Sequence, residues 1–90
     1  MQYNHTIKTE TIIENTIIDC NEGFTSIEIF YQDSYGAALP VIINSKLKLQ
    51  AGQWFRMMNR PYVKINSNIR LQIQTKGTVI VVIKHFYVEQ

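Results

Sequence analysis

Ninety residues, 46% of them apolar, with a formal net charge of +2, describe one ordinary globular domain whose charge is too small to mark a polyanion binder. A single cysteine, Cys20, rules out an intrachain disulfide and with it the stapled secreted mini-domains. The longest apolar run, residues 79–83, is far too short to cross a bilayer.

A chain of this size buries roughly two thirds of its unfolded surface, so it can hold one core of modest stability. Isoleucine dominates the apolar set, and valine and threonine are frequent. A branched Cβ is stiff at χ1 and sits well on a pleated surface, so this composition favours strands over helices. Cys20 is expected as a small core or boundary residue. Residues 1–11 are polar and broken by Lys8 and Glu10, which predicts no signal peptide.

Charge is unevenly distributed. Within residues 1–33, Lys8 stands against Glu10, Glu14, Asp19, Glu22, Glu28 and Asp33; within residues 34–90, eight lysines and arginines stand against Glu89. Three arrangements fit: head-to-tail complementarity between copies, a basic face for a polyanion, or acids and bases that meet inside one fold.

In chain order, residues 1–8 are expected as an extended N-terminal arm. Thr11-Ile12-Ile13-Glu14-Asn15 is followed by the near-repeat Thr16-Ile17-Ile18-Asp19-Cys20. An odd period cannot keep both isoleucine pairs on one face of a flat strand, so a bend near Asn15 and two short strands are predicted. Asn21-Glu22-Gly23 reads as a turn and residues 24–32 as a strand. Asp33-Ser34-Tyr35-Gly36 has loop chemistry. Residues 39–43 form the next strand, which starts at Pro40 or runs along an edge, because proline cannot donate to the ladder. Lys46-Leu47-Lys48-Leu49 alternates with both leucines inward, and Ala51-Gly52 turns the chain into residues 53–57. A short strand follows at residues 62–65. Residues 69–74 alternate most cleanly of all, with one face buried and one wet. Lys76-Gly77 is a turn, and residues 78–83 have both faces covered. The predicted core is Ile27, Ile29, Leu47, Leu49, Trp54, Ile69, Leu71, Ile73, Val79 and Val81. No window has helical apolar spacing with caps.

Catalytic and metal chemistry find little support. His5 and His85 lie eighty residues apart, with no acid or nucleophile at diagnostic spacing. One cysteine and two scattered histidines give no local ligand cluster, and the four glycines form no phosphate cradle. Catalytic residues, cofactors and metals are therefore predicted to be absent. Lys84-His85 is expected as a surface pair near a strand end. Trp54-Phe55-Arg56 and His85-Phe86-Tyr87 have the aromatic and cationic composition of a small single-stranded nucleic-acid-binding barrel, which stands as an alternative reading. Residues 55–62 mix methionine with arginine and tyrosine, types enriched at protein interfaces. Arg56, Met58, Arg60 and Tyr62 are the candidate partner-binding residues. The competing reading makes these methionines plugs for the end of a sandwich.

From Ile27 onward, the cadence of elements resembles that of small accessory β-sandwich proteins of tailed-bacteriophage virions. The residues that carry it are I-x-I-F-Y-x-D-S (Ile27 to Ser34), the apolar strand Leu39 to Ile43, and L-x-L-x-A-G-Q-x-F (Leu47 to Phe55). After these come Pro61, N-x-x-I-x-L-Q (Asn66, Ile69, Leu71, Gln72) and a closing strand ending in Y-x-E (Tyr87, Glu89). The resemblance covers about two thirds of the chain, and the acidic first third lies outside it. It implies a virion structural protein, either capsid decoration (cement) or a head–tail connector or tail accessory subunit, assembled in the host cytoplasm. It further implies partners that are other virion proteins and copies of itself in a symmetric homo-oligomer, with no cofactor, nucleic acid or membrane. The expected fold is a single all-β domain, residues 1–90, an antiparallel β-sandwich of seven or eight strands, jelly-roll or immunoglobulin-like.

Leu71→Asp is expected to abolish folding, because it places a charge in a small core. Circular dichroism and urea titration check this, and a soluble, cooperatively unfolding variant would show Leu71 to face outward.

Overall fold

Strands that are apolar on one face need a second apolar face to cover them. In a computed structural model, which describes residues 2–32, 40–60, 62–75 and 78–89, the chain meets this need with two packed sheets. The strands are β1 (Tyr3–Ile12), β2 (Thr16–Asp19), β3 (Ser26–Gln32), β4 (Val41–Ile43), β5 (Leu47–Leu49), β6 (Trp54–Met58), β7 (Arg70–Gln74) and β8 (Val79–Glu89). Their orders are β1-β8-β3-β6 in the first sheet and β2-β7-β4-β5 in the second, with antiparallel pairing throughout.

Each strand pairs with the one whose number completes nine: β1 with β8, β2 with β7, β3 with β6 and β4 with β5. A chain doubled into one long hairpin and then rolled up has this order, which is the jelly roll. Of the two sandwich types expected, the strand order selects this one. Rolling requires the chain to change sheets repeatedly, and polar side chains pin the first of these crossings and the β4–β5 hairpin turn within the second sheet. Between β1 and β2, Asn15 Oδ1 accepts the Thr75 N–H at 3.1 Å, and Thr75 Oγ1 donates to the Ile13 carbonyl at 3.3 Å. The bend predicted near Asn15 is therefore the point where the chain leaves one sheet for the other. Between β4 and β5, Asn44 and Ser45 take left-handed backbone (φ 54° and 60°). The Asn44 side chain accepts the Gln72 N–H at 2.8 Å, so one residue both turns the chain and docks it on β7.

Ile27, Ile29, Tyr31, Ile80 and Val82 from the first sheet meet Ile18, Leu71, Ile73, Val41, Ile43 and Leu49 from the second, all buried. Phe24, Cys20 and Ile65 close one end. Burial raises the Cys20 thiol above its ordinary range, as expected of an inert core cysteine. Half of the predicted core is in place: Ile27, Ile29, Leu49, Leu71 and Ile73.

The other half is corrected. Trp54 is 42% exposed, and its neighbour Phe55 packs on the core instead. Val79 and Val81 are half-buried on the outer face, while Ile80 and Val82 point inward. In both places adjacent residues are apolar, so composition carries no parity, and register with the neighbouring strand decides. Leu47 shares the parity of Leu49 but sits at the open end of a three-residue edge strand. Ile69 precedes β7 and closes a turn by donating to the Asn66 carbonyl at 3.1 Å. Residues 62–65, expected as a strand, are irregular: Tyr62 has φ 67°, which cannot continue a ladder. Residues 3–8, expected as part of an arm, are extended but lie along β8 of their own chain. The loop Asp33-Ser34-Tyr35-Gly36, Leu39, Pro61 and the turn Lys76-Gly77 lie outside the described residues.

Of the three charge arrangements, the structure shows acids and bases meeting within one chain. Asp19 pairs with Arg70 at 3.1 Å, Glu28 with Arg56 at 3.5 Å and Glu22 with Lys84 at 3.0 Å. Lys84 corrects the expected surface pair, being 3% exposed on the inward side of β8. Its ammonium donates to both Glu22 oxygens at 3.0 Å, lies 3.5 Å from Glu10 Oε1, and sits 5.8 Å from the Phe24 ring centroid. A charge can be buried there because two carboxylates and an aromatic face replace water.

Glu22→Ala strips Lys84 of its bidentate partner and is expected to cost about 2 kcal/mol in urea unfolding. Most of that loss should return in Glu22→Ala/Lys84→Met, where no buried charge remains. An equal loss in the double variant would mean that the pair carries no such role.

Candidate functional site

Alternation along the four strands of the first sheet sends one set of side chains inward and the other outward. Register assembles the outward set into rows. Ile7, His85, Ser26 and Met58 form one row; Thr9, Ile83, Glu28 and Arg56 the next; Thr11, Val81, Phe30 and Trp54 the third. This face carries large apolar groups that are well exposed: Ile7 at 55%, Met58 at 64% and Trp54 at 42%. The outer face of the second sheet is different in kind. Asp19, Arg70, Gln72 and Lys48 are exposed there and Gln74 is half-buried, with Ile17, 58% exposed, and the half-buried Ile42 as the apolar members.

Beyond the reach of β3, which first pairs with β8 at Ser26 and His85, β1 and β8 continue as a two-stranded ribbon. The molecule is correspondingly elongated, 48 × 23 × 18 Å, with a Cα radius of gyration of 13.8 Å against about 12 Å for a compact domain of this length. The ribbon carries an aromatic stack. Tyr62 lies flat on Tyr3 (centroids 4.1 Å apart, planes 5° apart) and meets Tyr87 edge-on at 5.0 Å, while His5 stacks on Tyr87 at 4.2 Å. Tyr62 holds left-handed backbone while half its surface is exposed. A bulky residue keeps such backbone only where its surroundings over-determine it, and the two tyrosine contacts do so here.

His5 and His85, unconnected in sequence, are diagonal neighbours across β1 and β8. His5 Nε2 lies 3.0 Å from His85 Nδ1, and the ring centroids are 5.3 Å apart with planes 15° apart. A centroid separation exceeding the N···N distance by about two ring radii, with near-parallel planes, places the rings edge to edge in a linear hydrogen bond. His85 Nε2 is 3.1 Å from Glu28 Oε1, and Arg56 Nε is 3.5 Å from Glu28 Oε2. The Glu28 carboxylate can only accept, so a neutral His85 donates from Nε2, leaving Nδ1 to accept from His5. The result is an ordered chain, His5 to His85 to Glu28, that ties β1, β8 and β3 together, with Arg56 of β6 closing it as an ion pair. His85 stands between the other two, so the three do not converge on one point; among the described residues no group of three histidine, cysteine or acidic side chains is placed to hold a metal.

A recess of about 240 Å³ opens beside this chain, lined by Thr25, Ser26, Glu28, Met58, Tyr62, His85 and Tyr87. Of the candidate partner-binding residues, Met58 and Tyr62 line it, and Arg56 adjoins it with its guanidinium 5.2 Å from the Trp54 ring centroid. Arg60 is exposed in the segment between them, where its carbonyl accepts the Val63 N–H at 3.0 Å. The two methionines divide the two readings of that segment: Met57 packs on the core and Met58 faces out. Sequence reasoning missed Glu28, His5 and Tyr3, and it singled out His85 and Tyr87 only for the nucleic-acid alternative. Their usable signal is parity, since His85 and Tyr87 are two apart on β8, as Tyr3 and His5 are on β1.

Compared with protein-family models, curated proteins and solved structures, the chain matches none.

In alkaline buffer, long-range proton–nitrogen spectra are expected to show His85 and His5 protonated at Nε2, with His85 Nδ1 unprotonated. Finding the proton on His85 Nδ1 would break the chain as drawn.

Proposed function

We propose that this chain is a non-catalytic structural subunit of a phage virion, binding its neighbours as a capsid decoration (cement) protein. The observation that carries the reading is the contrast between the two outer faces. The second sheet presents mostly amides and charges to water, with Ile17 and Ile42 as its apolar members. The first presents Ile7, Phe30, Trp54, Met58, Val81 and Ile83 among Thr9, Thr11, Ser26 and His85, with the ion pair of Glu28 and Arg56 in their midst. Apolar area of this kind is seldom left uncovered on a monomer, and aromatic, methionine and arginine side chains are the types that interface centres favour.

The interior supports the same view. Apolar side chains fill the space between the sheets, which leaves the outer surfaces as the places for a partner. Jelly rolls recur in viral capsid domains, and also in lectins and cupins, so fold analogy alone does not choose among these. The virion assignment rests on the cadence from Ile27 onward together with the uncovered face. A head–tail connector or tail accessory position would use the same face and differs in copy number.

One observation favours the nucleic-acid reading: the Arg56 guanidinium over the Trp54 ring, beside Phe30. Against it, the Glu28 carboxylate lies in the middle of that surface, where a phosphate backbone would meet it.

Quantitative mass spectrometry of purified particles is expected to find this chain at a copy number comparable to the shell protein. A small ring's worth would place it in the connector or tail, and absence from particles would sink the virion reading. Met58→Glu and Trp54→Glu should fold normally yet lower incorporation about tenfold or more, since each puts a charge at an interface centre. Arg60→Ala should fold normally and assemble more weakly. Steeply salt-dependent oligonucleotide binding by the pure chain would favour the alternative instead.

A further inference from the structure

Sheets that do not close into barrels leave edges, and an exposed edge is a template for another strand. The edges here are β1 and β6 in the first sheet and β2 and β5 in the second. β2 and β5 are four and three residues long, and β6 five, whereas β1 has ten. Natural edges are protected by charge, and β1 carries Lys8 and Glu10. Their signs are opposite, however, and they project from the same side of the strand. Such a pair repels an arbitrary strand less than it attracts a copy of itself in one register.

We propose that β1 pairs antiparallel with β1 of a second copy about a two-fold axis at Thr9, joining two first sheets into one continuous eight-stranded sheet. The inference deepens the assembly reading above and rests on it.

Register follows from two constraints. A two-fold axis perpendicular to the sheet keeps each face on its own side, so partners must have the same parity and the axis must pass through a residue, not between two. Four such centres lie near the charged pair. Centring on Lys8 sets Lys8 against Lys8 of the second copy, and centring on Glu10 sets carboxylate against carboxylate; both are destabilising. Centring on Ile7 sets Lys8 opposite Thr6 and Glu10 opposite Asn4, with no charge paired across the axis. Centring on Thr9 sets Lys8 opposite Glu10 twice, once on each side of the axis, with the two threonines facing each other at its centre. For β6, the symmetric register over its full length would put Arg56 against Arg56.

The same side chains are already poised within one chain. Lys8 Nζ lies 3.2 Å from Glu10 Oε1, so pairing completes a ring of four alternating charges. The hydrogen bond that Lys8 donates holds Glu10 below the usual carboxylate range and raises Lys8, so it favours the charged form of both. The pairing segment is also the supported part of β1. From Ile7 to Ile12 the strand backs onto β8 positions 80–85, which β3 holds from the other side, whereas Tyr3 to Thr6 lie on the ribbon. In the paired molecule the two uncovered outer faces become one surface, carrying Ile7, Met58 and Trp54 twice and offering a larger assembly two equivalent contacts.

Sedimentation equilibrium of the full chain tests this, with a two-fold dimer expected. Lys8→Glu sets glutamates opposite each other twice and should weaken the dimer about tenfold. Lys8→Glu/Glu10→Lys should restore it. Because Glu10 also neighbours Lys84, a cysteine scan keeps the idea testable if the double variant misfolds. Thr9→Cys should form an intermolecular disulfide on mild oxidation, while Ile7→Cys and Thr11→Cys should not. Cross-linking through Ile7→Cys instead would overturn the register, and a monomer at all accessible concentrations would overturn the pairing. A dimer that survives Lys8→Glu but is lost in Met58→Glu would also overturn it, leaving the outer face as the contact between copies. A dimer that meets every test here while the chain is absent from particles would leave the pairing standing and remove only the virion reading.

Discussion

Strand β8 is the element against which the rest of the structure is registered. It pairs with β1 over ten positions and with β3 over seven, so two neighbouring strands inherit their parity from it. Its inward side runs Ile80, Val82, Lys84, Phe86, so the ammonium interrupts an apolar row whose last member, Phe86, still packs on the core. Past His85 the strand keeps one neighbour in place of two, and the sandwich becomes a ribbon. The cost of burying Lys84 is offset by Glu22 and Glu10, which come from the 3-10 turn after β2 and from β1. One cation thereby gathers three separate parts of the chain at the end of the core.

The outward side of the same strand organises the candidate surface. Val81 and Ile83 extend an apolar floor; His85 and Tyr87 convert it to a polar and aromatic region within four residues. The hydrogen-bond chain from His5 through His85 to Glu28 uses both nitrogens of His85, and so fixes its ring. A fixed ring, two stacked tyrosines and a strained Tyr62 backbone make this end of the face preorganised, which lowers the ordering cost of a contact made there. Apolar rows in the middle supply area, and the ordered end supplies shape. Both features suit a subunit that binds neighbours in one orientation.

What could be read in the chain, and what could not, divides along a physical line. Alternation and turn chemistry are local, so the β-sandwich class, the bend near Asn15, and the inward set Ile27, Ile29, Leu49, Leu71 and Ile73 were legible from residue types alone. Cys20 was legible for the same reason, as a small apolar group beside a turn. Parity is not local where adjacent residues are both apolar: Trp54 against Phe55, or Val79 and Val81 against Ile80 and Val82, is decided by which neighbour the strand meets. Lys84 defeats composition altogether, because its burial depends on Glu22, sixty-two positions away. The candidate surface is the extreme case. His5 and His85 stand at opposite ends of the chain, and the rolled topology that pairs β1 with β8 is what brings them together. The amino-acid order by itself determined that short alternating strands would form and bury one face, since that needs nothing beyond neighbours in sequence. The tertiary structure alone decided the rolled strand order, the outward set of each strand and the chemistry shared between them, because those depend on register between segments that the sequence keeps far apart.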